Sequence, residues 1–201
     1  MKVLGITGGV GAGKTTVLNY MENRYGARVI QADQVAHRLM EPGQICHQRI
    51  AASFGTQILR KDGTIDRGKL GAQVFENREK LRRLNELVHP AVKEWIRREI
   101  EKSRREAKTP FLVIEAALLI EEHYEEICDE LWYVRADTKV RLRRLMESRG
   151  YTRERSRSIM ANQLPDEVFR RHCQFVVDNG GDIVENTYEQ IDRGLIEHGF
   201  L

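Results

Sequence analysis

The sequence is short of everything that would mark a secreted, membrane-spanning or disulfide-stapled chain. It has three cysteines in 201 residues, Cys46, Cys128 and Cys173. They are far apart, odd in number and without C-x-x-C spacing, which excludes a disulfide frame or zinc site and reads as reduced thiols. No apolar run approaches the roughly 18–20 residues of a transmembrane helix. Met1-Lys2 leads straight into a strand pattern rather than a signal peptide, so a cytoplasmic location and no membrane partner are expected. Four prolines, no repeat and no low-complexity tail leave an ordinary globular composition, 41% hydrophobic and 31% charged. Neither charge sign dominates: the net charge is +3, which does not call for nucleic acid. No N-K-x-D guanine reader exists anywhere, so the D-x-x-G match at Asp178–Gly181 does not make a GTPase.

What is present alternates between two periodicities. Val3–Thr7, Arg28–Ala32, Phe111–Ala116, Leu131–Arg135 and Phe175–Asp178 read as strands, with helices at Thr15–Arg24 and Asp33–Met40. Short apolar runs separated by helical patterns predict an α/β fold, a five-stranded parallel sheet with helices on both faces. About eighty residues with little strand character separate the second strand from the third, too many for a plain connection. They contain a turn signal, "KDGTID" (Lys61–Asp66), and a helical stretch from about Asn77 to Glu106 that should be interrupted or bent at Pro90. This block predicts a helical subdomain. From Arg141 to Arg171, nine arginines stand against four acidic residues, on helices broken around Gly150. That segment reads equally as a solvated face or as a mobile arm that meets phosphates. Thr187 with Gln190 predicts a capping box for the last helix.

The chemistry concentrates in "GITGGVGAGKTT". Gly8 to Thr15 fits G-x-x-x-x-G-K-[ST], with a strand before it and a helix after it. Gly8, Gly9, Gly11 and Gly13, with Ala12 and Thr16 completing the turn, let backbone amides approach the α- and β-phosphates of a nucleotide. The following helix adds its positive end. Lys14 is placed for the β- and γ-phosphates and Thr15 for Mg²⁺. Asp33 lies just past the second strand, where it could accept a proton from an attacking hydroxyl, hold metal-bound water, or merely cap a helix. Glu115 and Glu121 flank "AALLI" after the third strand; Glu115 could organise Mg²⁺ directly or through water, or simply be exposed. His89 reads more readily as structural. "DNGG" after the fifth strand could wrap a purine base or be a simple turn. A compact core, a helical block and an Arg-rich lid together point to a small kinase. The rivals are a kinase for a nucleotide or other small hydroxyl compound, and a nucleotide-dependent module that binds RNA or protein through its basic segment.

"GITGGVGAGKTT", "ADQVAHRLM", "LVHPAV", "EAALLIEE", "RLMESRGYT", "MANQLP" and "VVDNGG" occur in the order found in dephospho-coenzyme A kinases. The chain resembles that family from Val3 to about Gly181. The resemblance implies a P-loop kinase-type three-layer fold, with core 1–39, 107–140 and 166–201, a CoA-side helical subdomain at 40–106, and a lid at 141–165. It implies transfer of the γ-phosphoryl group of ATP, with Mg²⁺, to the ribose 3′-hydroxyl of dephospho-CoA, by a monomer or weak homo-oligomer. Asp33 is then the base or the hydroxyl-positioning group, His89 lies near the acceptor, and Asn179 lies in the adenine loop. In the lid motif the second arginine falls at Arg149, one residue from its usual place, so Arg144 and Arg149 are both candidates for the phosphates.

Overall fold

The computed structural model describes residues 1–75 and 77–201. The apolar runs form strands β1 (Lys2–Thr7), β2 (Arg28–Gln31), β3 (Phe111–Glu115), β4 (Glu130–Arg135) and β5 (Phe175–Asp178). Their order in the sheet is β2-β3-β1-β4-β5, and β1 pairs in parallel with both β3 and β4, as β4 does with β5. Among the described residues the helices are α1 (Lys14–Tyr25), α2 (Ala32–Leu39), α3 (Ile45–Phe54), α4 (Arg67–Phe75), α5 (Arg78–Glu106), α6 (Thr138–Arg149), α7 (Arg153–Ala161), α8 (Asp166–His172) and α9 (Val184–Glu197). The expected α/β class and five-stranded parallel sheet are what the chain forms. The connection from β1 to β2 runs to one side of β1 and that from β3 to β4 crosses to the other, so the carboxyl end of β1 lies at the topological switch point, where such sheets open a crevice.

The strands read as continuous apolar runs because both faces of the sheet are covered. On one face Leu4, Ile6, Phe111, Val113, Trp132, Val134 and Val177 are buried with Val17, Leu18 and Met21 of α1 and with Ile191 and Leu195 of α9. Alternation sends Tyr133 to the other face, where it stacks on Phe169 of α8 with ring centroids 4.7 Å apart.

The chain divides into two compact units, Met1–Ile30 with Ser103–Leu201, and Gln31–Lys102. The second shares residues 40–102 with the helical segment expected from the sequence, but starts earlier and takes in Asp33. Its core is a stripe of Val88, Val92, Ile96 and Ile100, repeating every four residues along α5, with Cys46, Ile50 and Phe54 of α3. The Cys46 thiol reaches the Leu87 carbonyl at 3.7 Å. "KDGTID" is the expected turn, closed by Arg60 N–H donating to the Thr64 carbonyl at 2.8 Å.

Two local expectations are overturned, the interruption at Pro90 and the capping box of the last helix. α5 is not interrupted at Pro90: it runs as one helix of 29 residues with Pro90 inside. The proline removes one backbone donor, but its ring is exposed and the stripe from Val88 to Ile100 holds the helix on both sides of it. Thr187 is not an N-cap, because α9 begins three residues earlier at Val184. Thr187 is buried inside the helix, and Gln190 turns back to bond both backbone groups of Asp178.

All three cysteines are buried, and none is in a disulfide. Burial pushes the Cys173 thiol up to about 12 and raises Cys46 as well. Little of the Cys173 thiol is therefore thiolate at pH 8. A colorimetric disulfide reagent at pH 8 should therefore titrate the native chain slowly and all three thiols promptly in urea. A fast native phase would contradict this account.

Candidate active site

The loop between β1 and α1 is built by its neighbours as much as by its glycines. A Cβ on Gly8 would strike the Val134 carbonyl, one on Gly9 the Arg141 guanidinium, and one on Gly13 the Asn179 amide. On Gly11 it would come within 2.9 Å of the Arg141 carbonyl, and φ there is +78°. Gly13, at φ +87°, caps α1 with no side-chain acceptor. Most loop carbonyls are taken by protein donors. Gly8 O accepts from Lys14 Nζ at 2.8 Å, Gly9 O from Ala12 N at 3.1 Å, and Val10 O from Arg141 Nε at 2.9 Å. Ala12 O accepts from Asn179 Nδ2 at 2.9 Å and from Arg144 Nη1 at 3.2 Å, and Gly13 O from Thr16 N at 3.0 Å. By contrast, the amides of Gly9, Gly11, Gly13, Lys14 and Thr15 find no acceptor among the described residues. Donors without acceptors at the positive end of a helix make an anion site.

Lys14 Nζ also lies 3.5 Å from Glu115 Oε1, and both side chains are largely buried. Parallel pairing of Ile6 with Glu115 puts that carboxylate beside the loop. The lysine is thus held at the loop mouth by a carbonyl and a carboxylate. Thr15 is exposed in the first turn of α1, and Glu121 is exposed beyond β3. Magnesium takes oxygen ligands and is bound through one or two protein groups plus substrate phosphates. A threonine hydroxyl at the loop's end and a carboxylate across it fit that chemistry.

The lid arginines divide differently from the sequence expectation. Arg144 meets the loop at Ala12 O, whereas Arg149, five residues and about 140° further round the helix, is exposed at the end of α6. Arg141, which the sequence reading did not single out, lies deepest. Its guanidinium bonds Val10 O and, through Nη2 at 2.5 Å, Gln163 Oε1; burial holds it below the ordinary arginine value. Its signal was spacing: Arg141 and Arg144 are three apart, on the helix side that also buries Leu145.

Asn179 is buried and acts as a bracket. Its amide donates to Ala12 O, and its Oδ1 accepts from Thr187 Oγ1 at 3.0 Å. The residue assigned by resemblance to the adenine loop therefore holds the phosphate loop in place from below α9. Asn179→Asp would set a carboxylate oxygen against the Ala12 carbonyl. A loss of about 1–3 kcal/mol in stability is expected from urea unfolding; an unchanged midpoint would contradict the bracket.

In the second unit, Asp33 occupies the first turn of α2, exposed and without a hydrogen bond or ion pair among the described residues. Gln31, not Asp33, occupies the N-cap position, so capping does not explain the aspartate. His89 is half-buried in α5. A cavity of about 420 Å³ opens between His37, Met40, Arg60, Ile65 and Arg67.

A family model described as dephospho-CoA kinase matches residues 2–185. The chain belongs to the dephospho-CoA kinase family. It is 35% identical to the dephospho-CoA kinase of Shouchella clausii over 96% of each chain. To that of Geobacter sulfurreducens it is 38% identical, over 98% of this chain and 96% of the relative. Among solved structures, TT1252 from Thermus thermophilus superposes with a TM-score of 0.84 at 27% identity, covering 98% of this chain and 97% of that one. Membership makes the chain a kinase.

Proposed function

We propose that this chain transfers the γ-phosphoryl group of ATP to the ribose 3′-hydroxyl of dephospho-CoA, giving coenzyme A and ADP, the last step of coenzyme A synthesis. The observation that carries the reading is the loop whose carbonyls are mostly capped by protein while five amides are left for phosphate. Lys14 spans the β- and γ-oxygens, and Arg144 faces the charge that develops in transfer. Thr15 and Glu115 would hold Mg²⁺, which when bound neutralises phosphate charge. Asp33 receives or orients the acceptor hydroxyl, its carboxylate being unengaged, and His89 lies on the acceptor side. The lid keeps water from competing with the acceptor. The reading includes a cytoplasmic monomer or weak homo-oligomer, with neither nucleic acid nor membrane as partner.

The deciding experiment incubates the chain with ATP, Mg²⁺ and a panel of acceptors and reads product mass. A product one phosphate heavier than dephospho-CoA is expected; transfer only to a nucleotide or sugar would replace the substrate, and no transfer at all would remove the reading. Within the lid, Arg144→Ala should lower kcat by about 10²-fold while Arg149→Ala changes it less than about threefold. The reverse order would reassign the phosphate contact to the helix end.

A further inference from the structure

Val10 is the loop residue whose peptide groups are both claimed by the lid. Its N–H donates to Gln163 Oε1 at 3.1 Å, and its C=O accepts from Arg141 Nε at 2.9 Å. The third side of the ring is closed by Arg141 Nη2 donating to the same Gln163 oxygen at 2.5 Å. Arg141 stands on α6, and Gln163 stands in the turn between α7 and α8, so two separate lid segments meet on one residue.

We infer that Arg141 and Gln163 form a positioning pair that fixes the two peptide planes flanking Val10 and, through them, the direction of the amides that grip the nucleotide. Gln163 holds the N–H of the Gly9–Val10 peptide, whose C=O accepts from Ala12 N, and Arg141 holds the C=O of the Val10–Gly11 peptide, which sets the direction of the Gly11 N–H in the same plane. Val10 N–H is turned outward to Gln163 and is removed from the phosphate donors. Its neighbours at Gly9 and Gly11 keep amides with no protein acceptor. Glycines flank Val10, so the bare loop could turn either of these peptides at little steric cost. The pair supplies the restraint the loop chemistry lacks. Arg141 suits the task because a planar guanidinium donates in two fixed directions, which a lysine cannot do. Burial also keeps the contact out of bulk water. Neither residue need touch the nucleotide; both act through Val10.

The inference rests on the kinase reading for its meaning, so its test has an arm independent of the acceptor. Wild type, Arg141→Leu, Gln163→Leu and the double variant are compared by calorimetric affinity for a non-hydrolysable ATP analogue, and by kcat and KM with both substrates. Each single change should lower analogue affinity and kcat/KM for ATP about tenfold, leave KM for dephospho-CoA within about twofold, and add almost nothing in the double variant. Gln163→Glu keeps the acceptor oxygen and should restore slow hydrogen exchange at the Val10 amide, which Gln163→Leu makes fast. Penalties that multiply to about a hundredfold, or that move melting temperature alone, would overturn the pair. If Arg141→Leu does not fold, the Gln163→Leu and Gln163→Glu contrast decides: equal exchange and equal affinity in the two would overturn it. A chain that binds the analogue but never phosphorylates dephospho-CoA would fail the substrate reading while still testing the pair.

Discussion

Asp33→Ala is expected to lower kcat by about 10²–10⁴-fold, the range spanned by a positioned general base. The same protein should bind ATP almost as tightly as wild type, since no contact of Asp33 with the phosphate loop enters the assignment. Its stability should change little. The side chain is exposed and has no partner among the described residues, and its structural credit is a carboxylate in the first turn of α2, worth about 0.3–1 kcal/mol. The kinetic loss is several times larger, so the two effects separate cleanly. Stopped-time assays of coenzyme A formation, read beside an ATP titration and a thermal melt, make the comparison. Turnover retained within a few fold would remove Asp33 from the chemistry.

Lys14→Ala should be broader in its damage. The ammonium is held 2.8 Å from the Gly8 carbonyl and 3.5 Å from Glu115 in a largely buried setting. Its loss removes a cation from the phosphate site, and kcat/KM for ATP should fall by about 10²–10³-fold. It also withdraws a cation from the buried Glu115 carboxylate, so the variant should melt below wild type before any ligand is added. Ligand then widens the gap, because stabilisation by ATP follows affinity by mass action. Melting curves with and without ATP read both consequences. A variant whose melting temperature rises with ATP as much as wild type does would contradict the grip assigned to the loop.

The sheet and the phosphate loop were legible because their signals are local. Buried parallel strands are short apolar runs, and the loop is a fixed spacing of glycines ending in Lys14-Thr15. What was not legible depends on rotational phase and on distant partners. Arg149 matched a linear motif, but α6 ends there and leaves it exposed, while Arg141 faces the loop from eight residues earlier. Thr187 and Gln190 carry a capping pattern at the right spacing, yet sit a turn inside α9, where the same side chains bond Asn179 and Asp178. Asn179 looked like part of a base-binding turn. Only the fold shows its amide beneath Ala12, 167 residues away in sequence. Pro90 misled for a related reason: propensity for a break is a local property, and the burial that overrides it is not.

The close approach of Arg141 to Gly9 has a genetic consequence. Gly9 is not among the loop glycines with positive φ, so an alanine there is opposed by the arginine's movable tip rather than by the backbone. Second-site suppressors of Gly9→Ala should therefore arise in α6, by shortening Arg141, and should recover no more activity than the shortened Arg141 variant has alone. Gly13→Ala should yield few, because its backbone conformation is itself unfavourable to a side chain. Transplanting the Gly8–Thr15 segment into another sheet without its matching helix would carry the motif and lose the shape.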